Sequence, residues 1–443
     1  MNLLDAQLNQ RFQEGVAYLN ANNIAAAYQI FKDIIRTQRN FLTLNAYAIS
    51  SHLLGLHHEA IHSINLAIDL EPNNVEGYKN KIEFLKPQAK YTEIIQCANE
   101  LALIGSNEEE LSLFKAEVYS KINKPFYALK EYQRVIKINY PDQAASIDQL
   151  NGQDTLYHLE NLRKRKTPYL DYPMHVAFET YAMCNAKCTF CVYPDLERQG
   201  EMMSMSLIDK IIADLEEIPK DVGFQLSPFG VNEPFLDKRI FSILEKISTK
   251  LPNASITLTS NAIPLNKINL DKLLHFKLGY LWLSVVDHRK EVYEEKMKIS
   301  YDKMLKNLHM IHNLKETGNF TARVVISRLL DHSENDDHFI AFFKDKFPLF
   351  ETCLWPYTNW LGKTSNPITS DIADIPCSHW FEFRISSSGL VQHCCMDGHV
   401  DFPWGDVNKK SILEIYNQPN YRNLRLNTYS RRTVEPCNSC NLR

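Results

Sequence analysis

Three thiols, Cys184, Cys188 and Cys191 in the stretch YAMCNAKCTFCVYP, are the residues whose type and spacing promise chemistry. Separated by three and two residues, they can converge from one loop on a single centre. A zinc ion, a set of buried thiols and an iron–sulfur cluster all fit that spacing. Structural zinc normally takes four ligands, and neither a CxxC partner nor a His pair lies nearby. A [4Fe–4S] cluster held by three cysteines leaves one iron open, and an open position permits reaction. The pattern favours the reactive cluster.

Five further cysteines crowd the end of the chain: Cys377, Cys394, Cys395, Cys437 and Cys440, the last two as CxxC. Cys377 precedes a probable hairpin with the turn SSSG. Thiolates from that hairpin and a closing loop can fill every site of a second iron–sulfur cluster, or form a tetrahedral zinc site. Cys395 is then spare: a structural thiol, an alternative ligand or a hydrogen-atom donor. His379 and His393 read as locally satisfied residues rather than ligands, and Asp397 is the one guess at an acid/base group. Cys97 and Cys353 stand alone. The start, MNLLDAQLNQRF, lacks the basic and apolar regions of an export signal, so a cytoplasmic chain with reduced thiols is expected.

The elements that position these loops fall into an order. With 443 residues, two or three domains are expected. The 49 basic and 53 acidic side chains give a net charge of −4, which argues against a general nucleic-acid binder. No run of about 18 apolar residues exists, so no membrane span is expected.

Over residues 1–142, anchors Ala27, Ala60, Ile94 and Ala128 recur at spacings of 33, 34 and 34. Each is followed by small or apolar residues at +4 and +7, and preceded twelve residues earlier by Gly15, Ala48, Ile82 or Ala116. Units of this length, built of two helices crossing at small residues, resemble the tetratricopeptide repeat. That resemblance implies a stacked all-α array whose concave face takes a peptide or partner protein, or which only buttresses the rest.

Residues 143–172 read as a linker, with TLYHLENLRKRK as a short helix and Arg163–Lys166 as its solvated basic end. From 173 to 360, strands alternate with helices. HVAFET, GFQLSPFG, SITLTS, LWLSVV and ARVVIS read as strands. SLIDKIIADLEEI, KRIFSILEKIST, a segment near 270 and YDKMLKNLHMIHNL read as helices. This order predicts a parallel sheet with its chemistry in loops beyond the strands' C-terminal ends, where the cysteine loop lies.

CxxxCxxC with Phe190 before the last cysteine, closing the first strand of an α/β segment, resembles the radical S-adenosylmethionine (SAM) superfamily. The resemblance implies a partial (β/α)6, TIM-like barrel. It also implies a cluster whose open iron chelates the amino and carboxylate groups of SAM. One electron then breaks a carbon–sulfur bond, giving methionine and a 5′-deoxyadenosyl radical that abstracts a substrate hydrogen. An electron donor such as flavodoxin or ferredoxin is implied too. GVNEPFLD stands where the superfamily often has Gly-Gly-Glu-Pro, so Asn232 and Glu233 would serve the cofactor's amino group although both glycines are replaced. TLTSNA places Ser260 at the end of the third strand, and Ser284 holds the ribose-contacting position of the fourth. For the cofactor carboxylate there are Lys296, Lys298 and, after the fifth strand, Arg328.

Residues 361–443 resemble the SPASM/twitch extension of the same superfamily: a cysteine, a Gly-x4-Cys hairpin, Gly-Asp-Val, a helix and Cys-x2-Cys. The chain stops three residues after Cys440, so the shorter form with one auxiliary [4Fe–4S] cluster on Cys377, Cys394, Cys437 and Cys440 is implied, within a small α+β domain. The expected function is radical SAM catalysis of oxidoreductase type on a peptide or carrier-presented substrate, by oxidation, epimerisation or cross-linking. Dehydrogenation or dehydration of a free sugar or aminocyclitol is the alternative enzyme, and an iron–sulfur or zinc scaffold the non-enzyme.

Overall fold

The computed structural model describes residues 3–365 and 372–442. The first two residues of the expected array, residues 366–371 of the expected C-terminal domain and its last residue lie outside the described residues. The chain forms two compact units, residues 1–159 and 160–443.

The first unit is helical: α1 (Leu3–Asn20), α2 (Ile24–Thr37), α3 (Phe41–Leu53), α4 (His57–Leu70), α5 (Val75–Leu85), α6 (Tyr91–Leu103), α7 (Glu108–Lys121) and α8 (Pro125–Asn139). Asparagine side chains cap α2, α3, α5 and α7, accepting the N–H groups that a first turn leaves unpaired. The periodic anchors sit on the second helix of each pair and are buried, as are Phe31, Ile64 and Ala98 four residues on. Gly15 is needed for contact: a Cβ there would meet the Phe31 ring at 2.7 Å. The repeat is therefore four stacked helical hairpins. A short helix, α9 (Ala144–Ile147), and α10 (Gly152–Arg165) follow, so the expected linker is largely helical.

In the second unit, β1 (His175–Phe178), β2 (Phe224–Ser227), β3 (Ala254–Ser260), β4 (Leu278–Val286), β5 (Arg323–Leu330) and β6 (Glu351–Pro356) pair in parallel and in order. The intervening helices are α11 (Met205–Leu215), α12 (Ile240–Lys250), α13 (Lys267–Leu273), α14 (Lys290–Met297), α15 (Tyr301–Glu316) and α16 (Glu334–Lys346). This is the expected partial (β/α)6 barrel. Ile208, Ile211, Ile212 and Leu215 of α11 lie on one face at helical spacing and are buried, while Ser204 caps the helix.

The C-terminal segment extends that same sheet. Strand β7 (Glu382–Ile385) pairs in parallel with β1, and β8 (Leu390–Gln392) and β9 (Gly405–Asp406) follow antiparallel, giving nine strands in the order β6-β5-β4-β3-β2-β1-β7-β8-β9. Helices α17 (Ile412–Tyr416) and α18 (Pro419–Asn427) complete it. Among the described residues no helix is long and apolar enough to cross a membrane.

Glu179, just beyond β1, ties the two parts of this unit together. Its carboxylate is buried, accepts from Val231 N at 3.0 Å and pairs with Arg198 Nε at 2.7 Å, while Arg198 also donates to Gly398 O. Replacing Arg198 by Met should cost about 3 kcal/mol, because a buried carboxylate loses the one cation paired with it among the described residues. A lower urea midpoint at unchanged slope is the expected readout, and an unchanged midpoint would show that Glu179 is not held by this pair.

Candidate functional site

The cysteine loop is fixed at its base and on its flank. Its base is antiparallel pairing: Ala182 N donates to Glu201 O and Gly200 N to Ala182 O, each at 2.8 Å. Its flank rests on α14, where Thr189 N donates to Lys296 O at 2.9 Å, and Trp360 Nε1 donates to Phe190 O at 3.0 Å. The thiols of Cys184, Cys188 and Cys191 line one cavity of about 210 Å³. Backbone N–H groups of Ala186 and Tyr193 point at the sulfurs of Cys184 and Cys191, both at 3.4 Å, which stabilises negative sulfur. Burial nevertheless pushes the Cys184 thiol up to about 12 and Cys191 to about 11, and raises Cys188 as well. The loop's own donors are thus insufficient to ionise the thiols, and a bound electrophile is what would make them thiolates. Among the described residues no three His, Cys, Asp or Glu side chains gather about one point for a single ion. The three thiols instead edge a space large enough for a multi-atom group, and the donor set fits a cluster.

Asn232, Glu233, Ser260, Ser284 and Phe190 line the same cavity. Glu233 is buried, accepts from Ser260 Oγ at 3.0 Å, from Asn261 N at 2.8 Å and, more weakly, from Phe235 N at 3.4 Å. Burial outweighs these bonds and lifts its carboxyl to about 7. Its hydrogen-bond partners include no cation, so the site fits a ligand that brings one. Asn232 is buried as well; its Oδ1 accepts from Gly230 N at 2.8 Å, and its Nδ2 has no partner among the described residues. That orphaned donor at the cavity wall suits a polar ligand. A Cβ at position 230 would meet Glu179 Cβ at 2.8 Å, so of the motif's two missing glycines the backbone still keeps a close approach nearby.

Alongside lies a larger cavity of about 470 Å³, sharing Phe190, Phe229, Gly230, Val231, Thr259, Ser284 and Trp360 with the first. One wall is aromatic, where Trp282 meets Trp355 edge to face at 5.9 Å. The opposite wall is polar, and the register explains it: β7 lies beside β1 with His175 opposite Glu382 and Ala177 opposite Arg384, so these side chains share a face. Glu382 binds His379 Nδ1 at 2.8 Å and Arg384 Nη2 at 2.8 Å. Burial works against its charge, but His379 and Arg384 hold it well below the usual carboxylate range. Burial keeps His175 neutral, pushed down to about 4. Cys395, hydrogen-bonded to Cys394 and His379, stands on this wall.

Cys377, Cys394, Cys437 and Cys440 come together around a separate small, enclosed cavity. Cys377 precedes β7, Cys394 follows β8, and the other two sit in the C-terminal turn. Burial pushes Cys437 up to about 12 and raises Cys440, again the signature of thiols that need an electrophile. His393 Nε2 lies 3.2 Å from Cys437 Sγ, and its ring stacks on Trp404 at 5.0 Å.

The three cations expected at the cofactor carboxylate, Lys296, Lys298 and Arg328, do not line the smaller cavity. Arg328 lines the larger one, fully buried, and its guanidinium is shared among Asp287, Asp331 and Asp336. Lys298 is exposed, in the left-handed position that ends α14. Lys296 carries its ammonium 5.7 Å above the Tyr357 ring. Asp397 accepts from His393, Asp401 and Phe402 backbone N–H groups and organises its loop. Asn261 went unremarked in the sequence: its Nδ2 lies 3.9 Å from Cys184 Sγ and 2.9 Å from Asn185 Oδ1. The signal was the asparagine of TLTSNA, one residue past Ser260.

Residues 178–345 match the Radical SAM superfamily, and residues 377–441 match SPASM, an iron–sulfur cluster-binding domain. No curated protein matches the chain. Similar solved structures include BtrN in complex with AdoMet and 2-DOIA, with TM-score 0.42 and 16% identity over 60% of this chain and 92% of that one. Streptococcus suis SuiB bound to precursor peptide SuiA gives 0.46 and 18% over 75% and 85%. Native anSMEcpe with bound AdoMet and Cp18Cys peptide gives 0.45 and 12% over 59% and 86%.

Proposed function

With residues 178–345 belonging to the radical SAM superfamily and residues 377–441 to the SPASM iron–sulfur domain, we propose that this chain reductively cleaves SAM and takes a hydrogen from a substrate held in the larger cavity. The observation that carries the reading is the smaller cavity itself, where three thiols face a buried carboxylate and an unpartnered amide. When bound there, a [4Fe–4S] cluster supplies the electron that breaks the carbon–sulfur bond of SAM and yields a 5′-deoxyadenosyl radical. Cys184, Cys188 and Cys191 would hold that cluster, Glu233 would accept from the N–H of the cofactor's amino group, and Asn232 would donate beside it. Ser260 orients Glu233, and Ser284 stands where the two cavities meet, within reach of a ribose. Phe190 closes one side and excludes water.

Cys377, Cys394, Cys437 and Cys440 would hold one auxiliary [4Fe–4S] cluster. Its pocket is next to the polar wall, since Cys394 and Cys395 are consecutive and face the two spaces respectively. Electron uptake there would suit an oxidoreductase acting in the cytoplasm. The substrate we favour is a peptide or a carrier-presented group, supported by the helical hairpin array, an architecture that binds extended chains. The polar wall of His175, His379, Glu382 and Arg384 favours a second reading, a free sugar or aminocyclitol. Substrate-stimulated 5′-deoxyadenosine formation, measured with peptide and sugar libraries, separates the two.

Metal analysis after anaerobic reconstitution tests the cluster assignment, with about eight irons per chain expected. Replacing Cys440 by Ala should lower this to about four while leaving substrate-free cleavage of SAM in place. Zinc in either cysteine set, or loss of all iron in the variant, contradicts it.

A further inference from the structure

Between α13 and α15 lies an open cavity of about 400 Å³, separate from both clefts already described and lined by Lys267, Lys303, Lys306, Asn266 and the apolar Ile263, Ile268 and Met310. The three lysines are exposed and have no carboxylate partner among the described residues, whereas Lys290 and Lys246 nearby in sequence are paired with Asp302 and Asp209. Ile268, on the same lining, is a large apolar side chain left 67% exposed. Exposed apolar area beside unpaired charges is the anatomy of a small, transient protein interface. The chain as a whole carries −4, so its overall field would repel an acidic partner and only a local patch can attract one.

The same cavity connects to the cysteine loop by direct contacts. Asn307 lines it, and its buried Nδ2 donates to Ala262 O at 2.8 Å and Ile263 O at 3.0 Å. Those residues directly follow Asn261, whose side chain touches Cys184 and Asn185. A single residue, Ala262, therefore separates Ile263 of the patch from Asn261, which contacts Cys184.

We propose that the face formed by Lys267, Lys303 and Lys306 with Ile268 and Met310 docks an acidic one-electron carrier protein. The carrier's reduced flavin or iron–sulfur centre loses one electron, and the cluster held by Cys184, Cys188 and Cys191 gains it. This rests on the radical SAM reading above.

The test uses the full chain and a purified acidic bacterial flavodoxin. Binding is read by titration calorimetry, and 5′-deoxyadenosine formation is read with either reduced flavodoxin or reduced methyl viologen, a small cation indifferent to a cationic patch. The triple variant Lys267→Glu, Lys303→Glu, Lys306→Glu should weaken flavodoxin binding about tenfold or more at low salt. It should slow flavodoxin-driven cleavage to match and leave viologen-driven cleavage unchanged. Wild-type binding should weaken with added salt, and the milder triple Lys→Gln variant should lose most of that salt dependence. Unchanged flavodoxin affinity in the Glu variant, or no flavodoxin binding to the wild type, overturns the proposal. Binding of duplex DNA at equal affinity, lost in the same variant, also overturns it by assigning the face to nucleic acid. Failure of the wild type to cleave SAM with methyl viologen would instead remove the underlying reading, and the two failures are told apart by the reductant.

Discussion

Replacing Cys191 by alanine is expected to abolish 5′-deoxyadenosine formation and to halve the bound iron, from about eight to about four per chain, while the protein stays folded. The fold should survive because the loop is held elsewhere, by the Ala182–Glu201 pairing, by Thr189 on Lys296 and by Trp360 on Phe190. The methyl group of alanine still packs with Val192, Tyr193, Leu196 and Val231, which surround Cys191. What is lost is a ligand with no substitute, since the cavity is lined by no thiol besides Cys184, Cys188 and Cys191 and by no histidine. The auxiliary set at Cys377, Cys394, Cys437 and Cys440 lines a different cavity and should keep its iron. Thermal unfolding beside iron counting separates the two effects. Cleavage persisting in a folded variant would show that this loop does not hold the reactive centre.

The second large effect belongs to Glu233→Gln, which should weaken SAM binding about a hundredfold, or about 3 kcal/mol. A neutral amide accepts the N–H of the ligand's amino group more weakly than a carboxylate does, and its NH2 group would face donors that now point at a carboxylate: Ser260 Oγ and the backbone N–H groups of Asn261 and Phe235. The pH dependence is distinctive. With its carboxyl near 7 in the ligand-free protein, Glu233 accepts from the amino group at full strength only when ionised, so the wild type's advantage over Glu233→Gln should be full above pH 7 and shrink about tenfold per unit below it. The effect on folding runs the other way. A carboxyl raised from its usual 4.5 to about 7 binds its proton more tightly in the folded state. Ligand-free stability should therefore fall as pH rises from about 4.5 through 7, by roughly 3 kcal/mol, and Glu233→Gln should lose that slope. Calorimetric SAM titrations of both proteins at pH 6 and 8 check the first half, and urea unfolding of the ligand-free chain checks the second. An advantage independent of pH across that range would remove Glu233 from the amino-group site.

Much of this was legible in the sequence because the signals were periodic or chemically costly. The 34-residue recurrence reports helices that bury Ala27, Ala60, Ile94 and Ala128, where larger side chains would prevent crossing. The alternation of strand and helix patterns foretold β1 to β5, each of which buries apolar residues such as Val176, Leu226, Leu258, Leu283 and Ile326. Strand β6 escaped because it is the sheet's edge: none of its residues is fully buried, so ETCLWP shows no apolar run. Helix α16 was equally quiet, with a hydrophilic first turn of Glu334, Asp336 and Asp337 before its phenylalanines.

The grouping of side chains was legible where residue type is itself the signal: Cys184, Cys188, Cys191 and Glu233 line one cavity, and Cys377, Cys394, Cys437 and Cys440 line another. It was not legible where function depends on register. That β7 would join β1, and thereby bring His175, Glu382 and Arg384 onto one wall, is a long-range pairing between residues more than two hundred positions apart. No local pattern announces it. Arg328 shows the same limit: the sequence sets it after the fifth strand, whereas it lies within β5, and no local pattern announces that Asp287, Asp331 and Asp336 surround its guanidinium.

The most direct measurement is mass-spectrometric quantitation of 5′-deoxyadenosine and methionine after one-electron reduction of the anaerobically reconstituted chain with SAM. Equal amounts of the two products, formed only on reduction and absent in Cys191→Ala, are the predicted result. Intact SAM beside a chain that carries zinc at Cys184, Cys188 and Cys191 would contradict it.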